Sequence, residues 1–346
     1  MSNKNQLCSS CISISIKSIC SHAASLGHLE CLKYAHENGY TWLAELTCNK
    51  AVSKNQLECL KYAHENGCPW NSKICSIAAS KGYIDCLKYA HENGCPWDNE
   101  TCYSAANKGH IECLKYAHEN GCPWDENTCV CAASNGHLEC LKYAHENGCP
   151  WDQENIYYVG RDHVCSSAAS NGHIECLKYA HKNGCLFRKD ICKYAALNGH
   201  LECLKYAHEN GCEWDELVCD KAAYNGHLDC LKYAHENGCP WNETICYTIA
   251  SQGNLNCLIY IYENGFEFDE DICSVIALNG HIDCLKYLHE NKCTWDEETC
   301  YRAALNGHIN CLKYAHENGC IWIKNKCLNA AKQRNHIECI KYIQNI

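Results

Sequence analysis

No run of lysine or arginine occurs in the chain, whose 346 residues carry 30 basic and 41 acidic side chains for a formal charge of −11. The basic face that nucleic acid or an anionic membrane needs is therefore missing. No apolar stretch approaches the roughly 20 residues required to cross a bilayer. The opening "MSNKNQLCSSCISISIKSIC" lacks the long apolar core and small-residue cleavage site of a secretory signal. There is no phosphate-binding loop, no GxSxG elbow and no HExxH helix. These absences predict a soluble, intracellular, cytoplasmic protein with no catalytic residues, no cofactor, no nucleic acid and no membrane partner.

What is present is repetition. The cysteine of "ECLKY" or its equivalent stands at Cys31, Cys59, Cys86, Cys113, Cys140, Cys176, Cys203, Cys230, Cys257, Cys284, Cys311 and Cys339. Nearly all the steps are 27 or 28 residues, and one is 36. A period of this size marks a stacked array, which grows without domain boundaries. The organisation predicted is a lead segment over 1–18 and a single array over 19–346, monomeric, with a loop insertion at about 153–163.

Turn chemistry divides each unit into two short helices. Asp125 is a suitable N-cap and Glu126 follows in the first turn, where the helix dipole favours it. That helix is predicted to reach about Asn135, and Gly136 then supplies a left-handed residue. "HLECLKYAHEN" forms the second helix until Gly148 ends it, and Pro150 forbids continuation. Twenty of the 21 glycines occupy these two turns, the exception being Gly160. Where the first turn lacks glycine it has Asn55 and Asn335, asparagine being the next most tolerant of positive φ. Lys292, at a second turn, is the poor fit.

Each helix is too short to be stable alone, so the neighbouring repeats must hold it. Ile111, Leu114 and Ala117 follow a helical spacing, widened by Cys113 and Tyr116, with Glu112, Lys115 and Glu119 outside. Ala105 and Ala106 permit close helix approach. Trp97, Trp124 and their equivalents fall once per unit in the connecting loop, Phe187 and Phe268 substituting twice, and read as packing between repeats.

The string "AANKGHIECLKYAHENG" from Ala105 resembles the helix pair of an ankyrin repeat: two alanines, a glycine–histidine turn and a glycine closing the second helix. The fuller form "GHLECLKYAHENGCPWDE" is similar to the ankyrin-type arrays of giant DNA viruses of protists and of some protists. The resemblance implies an all-α helix-turn-helix repeat solenoid of about twelve repeats. The usual ankyrin unit has about 33 residues, and the six missing here come from the segment of the β-hairpin finger, so fingers are expected to be short or absent.

Cysteine, with 36 copies, recurs in the first helix (Cys102), in the second (Cys113) and after the second glycine (Cys122). In the resembling family the matching places are apolar core positions, and free cysteine behaves as a small buried hydrophobe. The spacing contains no repeated CxxC knuckle, so no metal ligands are assigned, and "CSSC" at Cys8 to Cys11 is a weak signal. Equivalent cysteines on stacked helices are expected roughly 8–10 Å apart, too far for disulfides. His110 and its equivalents read as turn residues. His118 and its equivalents, near a helix C-terminus, are explained by the dipole.

Function is read from variation. Second helices hardly change, whereas first helices do at the residue after their cysteine and at the one four further on, which share a face. The resemblance places first helices on the concave side of the array. The expected function is a non-enzymatic scaffold binding a partner protein there, through Tyr103, Asn107, Lys193, Asp220, Tyr224, Tyr247 and Tyr301. Tyr157 and Tyr158 of the insertion are further candidate contacts. The viral resemblance implies a host protein as partner and host cytoplasm as location. A passive array without a dedicated partner and a cysteine- and histidine-rich metal-binding protein are the alternatives. Deleting residues 153–162 is expected to change stability by no more than about 1 kcal/mol, as for surface changes generally, measurable by thermal unfolding.

Overall fold

A computed structural model describes residues 7–12, 18–43, 45–151, 164–242, 244–269 and 271–346. The insertion with Tyr157 and Tyr158 lies outside these residues. Among the described residues there are helices and no strands. The β-hairpin finger is thus absent from them, as the short repeat predicts. No described helix is long and apolar enough to cross a membrane.

The predicted helix pair forms with nearly the expected bounds. In the repeat that begins at Asp125, Glu126–Ser134 is followed by Leu138–Glu146. Asp125 caps the first helix through Oδ1, which accepts from the Asn127 amide at 3.0 Å. Asp98, Asp215 and Asp296 cap theirs in the same way. Where the preceding residue is Ser72, Lys189 or Thr244, no side-chain cap forms. The caps sharpen these helices but do not decide them, because burial holds each pair in place.

The helix pairs group into two compact units, Met1–Leu186 and Phe187–Ile346. In each, first helices of successive repeats pack on one another, and each also packs on the second helix of its own repeat. The alanine pair belongs to this core: Ala105 and Ala106 are fully buried, as are Cys102, Leu114 and Ala117. Outside, Lys142 reaches Glu139 at 2.9 Å and Lys178 reaches Glu175 at 3.1 Å. Such exposed pairs are worth at most about 1 kcal/mol each.

The cysteines occupy the core, as expected, and also hold turns. Cys122 donates its S–H to the Asp98 carbonyl at 3.2 Å, tying the chain that leaves the second helix to the start of the first. Cys149 and Cys239 do the same to Asp125 and Asp215 at 3.1 and 3.2 Å. Cys165 lies against Cys185 of the same repeat, their Cα atoms 6.6 Å apart, and its Sγ stands 3.9 Å from the Cys185 carbonyl as Cys102 Sγ does from that of Cys122.

Asn55 and Asn335 both take φ of 58°, and Lys292 takes 66°. The lysine therefore sits in a left-handed conformation that costs an L-residue with a Cβ roughly 1–2 kcal/mol. Lys292→Gly is expected to raise stability by about 1 kcal/mol, read as a higher denaturant midpoint at unchanged slope. An unchanged or lower midpoint would show that the Lys292 side chain contributes more than its backbone costs.

Candidate functional site

Two side-chain systems recur through the repeats, one structural and one variable. The structural system joins a histidine, a tryptophan and a tyrosine. The His118 ring stacks on Trp124 of its own repeat at 3.7 Å, and Trp124 meets Tyr143 of the next repeat edge-on at 6.3 Å. His118 Nδ1 lies 3.0 Å from the Tyr143 hydroxyl. His208, Trp214 and Tyr233 repeat the arrangement in the second unit, with 3.6 Å stacking and a 3.1 Å polar contact. The tryptophan acts between repeats as the sequence suggests. The histidine does more than complement a dipole, since it is the contact through which one repeat reaches the next.

The turn histidines form a second ladder that sequence reasoning treated as local. His281 donates Nε2–H to the Ser251 carbonyl of the preceding repeat at 2.9 Å, and His336 to that of Leu305 at 3.0 Å. The ring lies against the preceding repeat's turn glycine: a Cβ on Gly109 would stand 2.5 Å from His137 Nδ1. Burial lowers the pKa of His137 and His308, keeping these imidazoles neutral. A motif of glycine followed by histidine, repeated at one period, is the signal that was available for this ladder.

The variable system is the first-helix face. Small residues after the helix cysteine are not open to solvent: Ser21, Ser76, Val130, Ser166 and Ser274 are buried where neighbouring first helices meet. Large residues emerge from the same place. Tyr103 is 37% exposed, and Tyr224, four residues beyond the corresponding position, is 45% exposed. The sequence reading missed Tyr194, next to Lys193 and 36% exposed. The remaining nominated residues are tied into the array. Asn107 Oδ1 accepts from Asn135 of the next repeat at 2.8 Å. Asp220 Oδ2 accepts from Asn242 at 3.3 Å and Thr244 at 3.4 Å, and burial raises its carboxyl pKa. Half-buried Tyr247 donates to Asp269, which pushes the phenol up to about 12. The Tyr301 ring lies 4.7 Å beneath the Lys326 ammonium, and Lys193 lies 5.0 Å from the Tyr194 ring.

The structure also makes a juxtaposition that the repeat reading did not foresee. Cys8, Cys11, His28 and Cys31 bring their ligand atoms within 4.8 Å of one another. The sequence reading assigned no metal ligands because it took His28 and Cys31 as ordinary copies of a turn and a core position. The signal for this cluster was a CxxC followed, in the first repeat, by HxxC.

Paired helices that stack by a turn-to-turn histidine ladder define a helical-repeat solenoid. A family model of ankyrin repeats in many copies matches residues 102–145, 129–181 and 192–235. Those residues are similar to ankyrin repeats, and the same unit recurs along the rest of the chain. A crystal structure of the human ASB11 ankyrin repeat domain is similar over 48% of this chain and 84% of that domain, at 20% identity and a TM-score of 0.42. That superposition adds nothing to the assignment made from the repeats themselves. No curated protein matches the chain. Ankyrin repeats are generally protein-interaction modules.

Proposed function

We propose that the protein is a non-enzymatic interaction scaffold that binds a partner protein on the variable face of its first helices. The observation that carries this reading is the emergence of Tyr103 and Tyr224 from positions where most other repeats bury small residues or leave the side chain half-buried. A tyrosine there adds area for a partner without being needed by the core, and aromatic residues of this kind dominate binding energy at interfaces. Second helices repeat one pattern of glutamate and lysine and so offer no address that distinguishes one segment from another. Tyr247 and Tyr301 belong to the same surface, held in fixed orientations by Asp269 and Lys326. Orientation before binding lowers its entropic cost.

The test uses the full chain as bait for cell extract, followed by affinity measurement with the recovered protein. Alanine at Tyr224 and Tyr301 is expected to weaken binding by about 1–3 kcal/mol each with helical circular dichroism intact. Alanine at Lys115 and Lys142 on second helices is expected to change it little. If the lysines mattered and the tyrosines did not, the assignment to the first-helix face would be wrong.

A further inference from the structure

The segment before the first repeat carries a cysteine–histidine cluster that no other described repeat possesses. We propose that Cys8, Cys11, His28 and Cys31 bind one zinc ion, which fastens the lead segment to the first helix pair. Their four ligand atoms lie within 4.8 Å of one another. Tetrahedral zinc with Zn–S bonds near 2.3 Å needs sulfur atoms roughly 3.8 Å apart, so only a small contraction closes the site. Cys8 Sγ stands 3.1 Å and Cys11 Sγ 3.9 Å from His28 Nδ1. The Cys8 backbone N–H donates to Cys31 Sγ at 3.3 Å, a bond that favours thiolate at that sulfur. The Cys11 amide bonds the Cys8 carbonyl at 2.9 Å, forming the tight turn by which CxxC aims two sulfurs at one point. Cys11 is fully buried and Cys31 nearly so, which shields the site from competing water.

The same two repeat positions do not form such a site elsewhere. Later turn histidines such as His281 and His336 face a carbonyl of the repeat before, and second-helix cysteines such as Cys113 and Cys140 are buried in the core. His28 instead faces Cys8 and Cys11, because the short helix Ser9–Ile12 packs on Ile19–Leu26 where later pairs in that unit meet another repeat. A helix of 4 residues has no stability of its own, so a metal ion shared with the first helix pair would hold it in place. Three thiol ligands and one imidazole form a soft donor set that suits zinc rather than magnesium or calcium. Closing all four positions with protein ligands makes the site structural. Binding displaces the thiol protons to solvent, so affinity falls as pH is lowered.

The test is titration of the reduced, metal-free full chain with cobalt as an optical probe and then with zinc. One equivalent of cobalt is expected to give sulfur-to-cobalt charge-transfer and tetrahedral bands, which zinc bleaches. Cys8→Ser combined with Cys11→Ser is expected to abolish the bands and weaken zinc at least about a hundredfold, with helical circular dichroism retained because neither residue lies in the array. Cys113→Ser, at the repeat position of Cys31 but away from the cluster, is expected to leave the metal spectrum unchanged. No stoichiometric binding by the folded chain, or binding that survives the double substitution, would overturn the assignment. A Cys8–Cys11 disulfide persisting under reductant that reduces ordinary disulfides would also overturn it.

Discussion

Raising the pH from about 9 toward 12 is expected to unfold the protein cooperatively, at a pH where a solenoid with an aliphatic core would remain helical. The reason lies in the second-helix cysteines. Burial pushes Cys113 and Cys284 up to about 11 and Cys140, Cys230 and Cys311 up to about 12. In the unfolded chain a thiol titrates near 8.5. Below that value both states hold the proton, and the contribution to stability is fully present. Above it the unfolded chain releases protons that the folded chain retains, so stability falls as pH rises through the interval and is lost once the folded values are passed. The slope is about 1.4 kcal/mol per pH unit for each thiol, so five of them lose about 7 kcal/mol per unit. Whole domains hold only about 5–15 kcal/mol. Circular dichroism and thiolate ultraviolet absorbance, followed together against pH, should change in one transition. Thiolate absorbance complete by about pH 9.5 with helicity intact would show that these sulfurs are accessible in the folded state.

The second large effect separates two glycines that look alike in sequence. Gly109 and Gly121 end the first and second helices of one repeat, with φ of 74° and 84°. A Cβ at Gly121 meets nothing within 4 Å, whereas at Gly109 it would lie 2.5 Å from His137 Nδ1. Gly121→Ala therefore carries only the left-handed backbone cost, about 1–2 kcal/mol. Gly109→Ala carries the same cost and also displaces a half-buried imidazole from its place against the preceding repeat, which adds about 1–3 kcal/mol for a lost polar contact. Denaturant unfolding of the two variants is expected to differ by at least about 1 kcal/mol, Gly109→Ala being the weaker. Equal losses would show that the histidine yields without cost and that the ladder does not hold the repeats together.

The zinc proposal and the interaction surface are independent. One concerns the segment that covers the first helix pair, and the other concerns side chains on the first helices. Loss of the tyrosine effect would leave the cluster of three cysteines and a histidine where it is, and absence of zinc would leave the exposed tyrosines unexplained by anything in the core.

The helices were legible in the sequence because their signals are local and repeated. Asp125, Gly136 and Gly148 act within a few residues of themselves, and recurrence of the same residue types at one period averages away accidents. Asn55 and Asn335 could be placed in left-handed turns from position alone, and Lys292 could be identified there as the poor fit. The buried alanines followed from the same repetition, and the buried cysteines from the resemblance to ankyrin repeats. Contacts between repeats were decided only by the tertiary structure. His118 meets Tyr143 across a distance in sequence that no helical spacing encodes, and His137 closes on Gly109 only after two repeats have stacked. The exposure of Tyr224 and the burial of Ser76 likewise depend on how closely neighbouring first helices approach, not on residue type. A periodic reading treats each position as equivalent in every copy, so it could not see that His28 and Cys31 differ from their counterparts. What sets them apart is the chain packed beside them, since Cys8 and Cys11 stand where later repeats have another helix pair, and only the folded chain brings these four side chains together.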